Sequence, residues 1–309
     1  MRPTYDELPQ LPGSDLRHAW EVHGPDDALG TLNGLTPETR RRAGALVSEG
    51  VTVNLSLPLD QPDPPPFGRR HPTHHVYATS SFSWDDRVDD LHMQGSTQWD
   101  GLLHVRHKIF GFYGGRLTDP VPHDPLGIDR WVEHGMVGRG VLLDVGRHLA
   151  AADSSYDPLA TRAITPEDLR DVADAQGVEI LPGDILCIRF GWVEGFSAAD
   201  DATRARLAQE PCWAGLSARA DTARHLWDLG IAAVACDNPS VEVQPGHRDD
   251  GYLHHRLLTM LGMPLGELFA LDELAARCAA RGSWDFLFSS APLNLPGAVG
   301  SPANAVALL

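Results

Sequence analysis

The chain has 309 residues, of which 42% are hydrophobic and 22% charged, enough apolar side chain for a globular core and too much for a disordered chain. Its formal net charge of −17 argues against nucleic acid or an anionic membrane surface as a partner, because both would repel it. The opening residues, MRPTYDELPQLPG, lack the apolar centre of a signal peptide, and no apolar run approaches the ~18 residues of a membrane span, so the chain reads as a cytoplasmic protein.

Cys187, Cys212, Cys236 and Cys278 form no C-x-x-C pair and no zinc-knuckle spacing, which predicts free thiols in a reducing compartment. Residues 1 to about 19 read as an arm preceding a single domain that occupies the rest of the chain. Residues 36–50 then read as a helix with Thr36 as N-cap, Pro37 in the first helical position and Gly50 as the stop. The alternation in 51–59 predicts a strand. The Pro- and charge-rich stretch 60–72 predicts a long surface loop of the kind that serves as a lid, and 75–84 reads as a second strand.

In 91–107 polar residues stand where a core element needs apolar ones, which predicts a strand-to-helix junction with Asp100 near the turn. Further on, 140–149 begins as a buried strand, and 165–177 is a helix with Thr165 as cap and Pro166 following it. It leads into a strand over 184–192. A helix over 217–230 feeds a strand over 231–237, and a short helix over 253–262 precedes a strand near Leu268. A helix over 271–282, a strand over 285–293 and a last strand over 304–309 complete the chain. The early strands lack intervening helices, so the pattern favours α/β architecture with a mixed β-core flanked by helices over a doubly wound sheet. There is no G-x-G-x-x-G after a strand, no P-loop and no G-x-S-x-G elbow.

Three groups of residues carry candidate chemistry. Asp100 and His104 stand four apart, so a helical turn after Asp100 would put a carboxylate and an imidazole on one face. His254 and His255 cannot share a face of their short helix, and its spacing leaves open which points into a pocket. Glu267 follows among apolar neighbours, where a buried carboxylate needs a cation or strong donors. Asp237 ends an apolar strand, with Glu242 close behind. Phe67 in the proline loop would cover the substrate, Trp84, Trp99 and Phe110 would supply an aromatic lining, and His74 and His75 would stand at an entrance.

Together these segments resemble the cyclase family, which includes kynurenine formamidase and isatin hydrolase. The resemblance runs from Trp20 through 26-DDALGTLN-33 to 299-VGSPANAVAL-308, with further landmarks in 182-PGDILCIRFGW-192 and 237-DNPSVE-242. The family hallmark H-x-G-T-H-x-D-x-x-x-H falls on 94-QGSTQWDGLLH-104, and a later His–Glu segment on 255-HRLLTMLGMPLGE-267. The resemblance implies a swivelling β/β/α, kynurenine formamidase-like core, a homodimer or homotetramer, and metal-dependent hydrolysis of an amide, cyclic amide or lactone. It assigns Asp100, His255 and Glu267 as metal ligands and His104 as general acid/base. The two leading histidines of the hallmark are Gln94 and Gln98 here, as in a similar subgroup with S-T-Q-W-D. An amide oxygen is a weaker, harder ligand than imidazole. One Mn²⁺ or Zn²⁺ ion is therefore expected, with Gln98 as a further ligand and Gln94, Trp99, Asp237, Glu242, Phe67 and Trp84 around substrate or ligands. A cyclase or dehydratase reaction on the same ion, or a binding protein with a degraded site, are the alternatives.

Overall fold

The computed structural model describes residues 2–309. In chain order its strands are β1 (Thr52–Asn54), β2 (Thr73–Ala78), β3 (Trp84–Asp89), β4 (Gln98–Asp100), β5 (Met136–Asp144), β6 (Arg162–Ile164), β7 (Ile185–Arg189), β8 (Ala214–Leu216), β9 (Ala233–Cys236), β10 (Leu265–Glu267), β11 (Asp285–Ser290), β12 (Gly300–Pro302) and β13 (Ala305–Leu308). Nine of them form one mixed sheet in the order β1-β13-β11-β5-β7-β9-β10-β4-β12. β5, β7, β9 and β10 run parallel in its middle, and the strands to either side pair antiparallel. This is the mixed core with flanking helices expected from the sequence. The central strands are unbroken apolar runs, with Val141 to Leu143, Ile185 to Ile188 and Ala233 to Cys236 all buried, as a sheet covered on both faces requires.

The helices are α1 (Pro37–Gly44), α2 (Asp129–His134), α3 (Val145–Ala152), α4 (Pro166–Gln176), α5 (Trp192–Ala198), α6 (Asp201–Gln209), α7 (Ala220–Leu229) and α8 (Asp272–Arg281). In α4, Thr165 accepts from the Asp168 backbone N–H while the Asp168 carboxylate reaches back to Thr165, and Gly177 closes the helix in the left-handed region. α1 has the expected Thr36 cap and Pro37, but it ends at Gly44, well before Gly50. Residues 253–262 depart further from expectation, because His255–Met260 is a π-helix rather than an α-helix. Within the arm expected over 1–19, the Tyr5 N–H donates to Asp228 on α7 and the Ala19 N–H to the Met260 carbonyl.

The run 75–84 is not one strand. β2 and β3 form a hairpin that pairs with no other strand, turning through residues 79–83 where the Thr79 and Ser80 hydroxyls meet Ser83 Oγ at 2.7 Å. The four cysteines are unpaired; Cys187, Cys236 and Cys278 are buried. Among the described residues no helix is long and apolar enough to cross a membrane.

Candidate metal centre

The site begins with strand register. β4 and β10 pair antiparallel with Leu265 opposite Asp100, Gly266 opposite Trp99 and Glu267 opposite Gln98. Side chains alternate along a strand, so Gln98, Asp100 and Glu267 share one face of the sheet while Trp99 takes the other. Gly266 is required there, because a Cβ would stand 2.6 Å from Phe269 Cε2 and 2.9 Å from Trp99 Cζ3. On the far side of β4, Gly300 of β12 pairs with Asp100, and a Cβ at Gly300 would fall 2.3 Å from Gln94 Nε2. The Gln94 amide therefore lies over the Asp100 face, where its Nε2 is buried without a partner.

His254 descends onto this face from the residue before the π-helix. Its Nε2 lies 3.2 Å from Glu267 Oε1 and 3.6 Å from Asp100 Oδ2. One donor atom from each of Asp100, His254 and Glu267 falls within 4.8 Å of the other two, and all three residues are buried. Glu242 stands behind the imidazole, 2.7 Å from Nδ1, and its other oxygen accepts from the Leu253 N–H. That bond orients the ring so that Nε2 faces the cluster, the usual arrangement behind a metal-bound histidine. The ligand position expected at His255 is thus corrected by one residue. The His255 ring sits 5.0 Å from His107 and 5.2 Å from Tyr252, outside the cluster.

The donor set fits a divalent cation. Asp100 has no exposure, yet neither of its carboxylate oxygens has a hydrogen-bond partner. Gln98 Nε2 donates to Glu267 Oε2 at 2.5 Å, which leaves its own Oε1 buried and unpaired. An imidazole nitrogen with carboxylate and amide oxygens is a mixed set suited to Mn²⁺ or Zn²⁺.

The electrostatics describe the same need for positive charge. Burial pushes Glu267 up to about 7, with the Asp100 charge adding to the rise. Burial also works against Asp100, but His104, His254 and Arg69 outweigh it and hold that carboxyl below its ordinary value. His254, despite a burial penalty, is raised well above an ordinary imidazole by the carboxylates around it, Asp100, Glu242 and Glu267. A proton on His254 therefore occupies the place of a cation among three acids. His104 stands at the mouth, its side chain 24% exposed and Nε2 3.6 Å from Asp100 Oδ1. It arrives there through a tight turn, the His104 N–H bonding the Gly101 carbonyl, and not through the helix expected after Asp100. Burial lowers its pKa, against the opposing pull of the Asp100 charge.

The other expected residues divide. Asp237 is structural, since its carboxylate accepts from the Phe190, Gly191 and Trp192 N–H groups at the start of α5. Trp99 belongs to the core, edge-on to Phe269 and Phe288 with its Nε1 bonded to Ser290. Trp84 is 69% exposed on the hairpin. His74 and His75 pair with Asp86 and Asp89 on the same hairpin, and His71 pairs with Asp63 within the proline loop. Phe110 stacks on His107. Phe67 is half-exposed and sits edge-on to the buried Trp213.

The Cyclase family model matches residues 53–243, more than half of the chain. A crystal structure of a novel cyclase is 33% identical and superposes with a TM-score of 0.81, covering 96% of this chain and all of that one. The chain belongs to the cyclase family. Isatin hydrolase A from Labrenzia aggregata, solved with benzyl benzoate bound, shares the fold at 18% identity and a TM-score of 0.62, covering 86% of this chain and 97% of that one. Isatin hydrolase A from Ralstonia solanacearum does so at 15% and 0.59, covering 88% and 97%. No curated protein sequence matches.

Two residues of this cyclase-family site escape sequence reasoning. Arg69 lies in the proline loop, where no periodicity marks an inward side chain, yet its charge bears on Asp100, His104 and Glu267 together. Tyr252 is half-exposed beside the His254 ring, at 5.7 Å between centroids, in a loop with no motif of its own.

Proposed function

We propose that this cyclase-family chain is a metal-dependent hydrolase of amides, cyclic amides or lactones. The observation that carries the reading is the buried cluster of Asp100, His254 and Glu267, in which both oxygens of Asp100 lack a partner. One Mn²⁺ or Zn²⁺ ion would be held by these three residues, with the free Gln98 Oε1 as an additional oxygen donor. When bound, such an ion supplies Lewis acidity toward a carbonyl and lowers the pKa of water.

The chain's own residues do the rest. Glu242 fixes the His254 tautomer, and Gln98 holds Glu267 in place by its N–H. His104, about a quarter exposed at the mouth of the cluster (24%), would take a proton from the attacking water. It would return that proton to the nitrogen or oxygen that leaves as the C–N or C–O bond breaks. The neighbours solved as isatin hydrolases make cyclic amides the first class to examine.

The test is a panel of isatin-type cyclic amides, arylformamides and lactones, turned over in ¹⁸O-water by the Mn²⁺-reconstituted protein. Hydrolysis places one solvent oxygen in the product; a cyclase or dehydratase places none, and that outcome would replace this reading. The His104→Gln variant should keep its metal and lose about 10²–10⁴-fold in kcat. Unchanged kcat would remove His104 from the proton transfer.

A further inference from the structure

The loop that leaves β1 passes directly beside the metal-site strand. The Leu57 N–H bonds Thr97 Oγ1 at 2.8 Å, and the Ser96 hydroxyl bonds the Pro58 carbonyl at 3.0 Å, just ahead of Gln98. Further along, Phe67 adopts a left-handed backbone (φ 60°) and sets its ring against Trp213, 5.8 Å away. Trp213 is itself fixed, fully buried and bonded through Nε1 to Ser240. Arg69 then lays its guanidinium 5.2 Å from the Phe67 ring centre. Its Nη1 is buried and has no hydrogen-bond partner.

Arg69 also has no carboxylate within ion-pair distance among the described residues, in a chain with 42 acids to 25 basic side chains. Its neighbour Arg70 faces Asp90, while the interior Arg139 and Arg189 each bond two or more acids. The charge on Arg69 is nevertheless felt by Asp100, His104 and Glu267. A guanidinium in the loop that passes beside β4, set over an aromatic ring and left with a buried free donor, is arranged to receive a planar anion through two parallel N–H bonds. The site needs such a cation. Asp100, Glu242 and Glu267 carry three acids against one divalent ion, which would leave an incoming anion facing negative charge.

We propose that Arg69 binds the carboxylate of the substrate, so that the site takes amides or lactones carrying an anionic carboxylate near the scissile bond. The proposal rests on reading Asp100, His254 and Glu267 as a metal centre, and the two fail separately. The probes are benzoate and its neutral analogue benzamide, titrated calorimetrically into wild type, Arg69→Gln and Arg69→Lys. Each protein is studied both Mn²⁺-loaded and EDTA-stripped, with Mn²⁺ content measured independently. Wild type should prefer benzoate over benzamide. Arg69→Gln should weaken benzoate by about 10–100-fold and leave benzamide and Mn²⁺ content unchanged, and Arg69→Lys should fall between. Equal affinity of wild type and Arg69→Gln for benzoate, or no preference of wild type for the anion, overturns the role of Arg69. Absence of Mn²⁺ from wild type sinks the metal centre instead, and the benzoate comparison on stripped protein then still decides Arg69.

Discussion

At the residue scale the site is a problem of charge. Three buried acids surround one imidazole, and in the metal-free protein a proton on His254 offsets part of their charge. A metal ion must displace that proton, so binding should release protons and strengthen as pH rises. Calorimetry of Mn²⁺ binding at pH 7 in two buffers of different ionisation enthalpy reads the release directly; identical heats would contradict it. The sign for stability follows from the same shift. His254 has a folded pKa above its unfolded one, so its contribution is complete below about 6.5 and is lost as pH rises through the folded value. Metal-free protein should therefore lose Tm on the alkaline side more steeply than Mn²⁺-loaded protein, in which the ion replaces the proton. Glu242 acts through the histidine, and Glu242→Gln should weaken Mn²⁺ affinity about 10–100-fold without removing a ligand.

At the element scale the centre is made by one antiparallel pairing and one unusual helix. The β4/β10 register turns Gln98, Asp100 and Glu267 to one face, and Gly266 lets Trp99 and Phe269 close the other. Gly266→Ala should therefore cost about 1–3 kcal/mol in urea unfolding through overpacking, and a variant as stable as wild type would contradict the packing described. Asp100 and His104 could be singled out from sequence by their four-residue spacing, Glu267 by its apolar neighbours, and Glu242 by its place just behind the strand-end Asp237. Thr165, Pro166 and Gly177 declared their helix through cap chemistry. The choice between His254 and His255 was not legible, for a physical reason. Arg256, Leu257, Leu258, Thr259 and Met260 are all buried, so no amphipathic stripe gives the helix a phase, and a π-turn departs from the α-helical spacing in any case. The hairpin was hidden because 79-TSSFS-83 carries no Gly, Asn or Asp to mark a turn, its closure resting on hydroxyl contacts.

At the scale of the whole molecule that hairpin is the feature a single chain does not explain. A two-stranded ribbon is marginal alone, and one face of this one presents Val76, Trp84 and Val88, exposed by 63%, 69% and 42%, with Phe82 at the tip 88% exposed. We propose that it is covered by a second copy of the chain, consistent with the homodimer or homotetramer implied by the family resemblance. Light scattering should give a multiple of 33.6 kDa for wild type and a smaller mass for Phe82→Asp/Trp84→Asp. A wild-type monomer, or an unchanged mass in the variant, would remove the hairpin from the interface.

The central claim is that Asp100, His254 and Glu267 hold one divalent ion, and metal content tests it most directly. Elemental analysis of wild type, Asp100→Ala, His254→Ala and His255→Ala after Mn²⁺ or Zn²⁺ reconstitution should find about one ion per chain in wild type and in His255→Ala, and almost none in the other two. Loss of the ion in His255→Ala with retention in His254→Ala, or no ion in wild type, would contradict the site described.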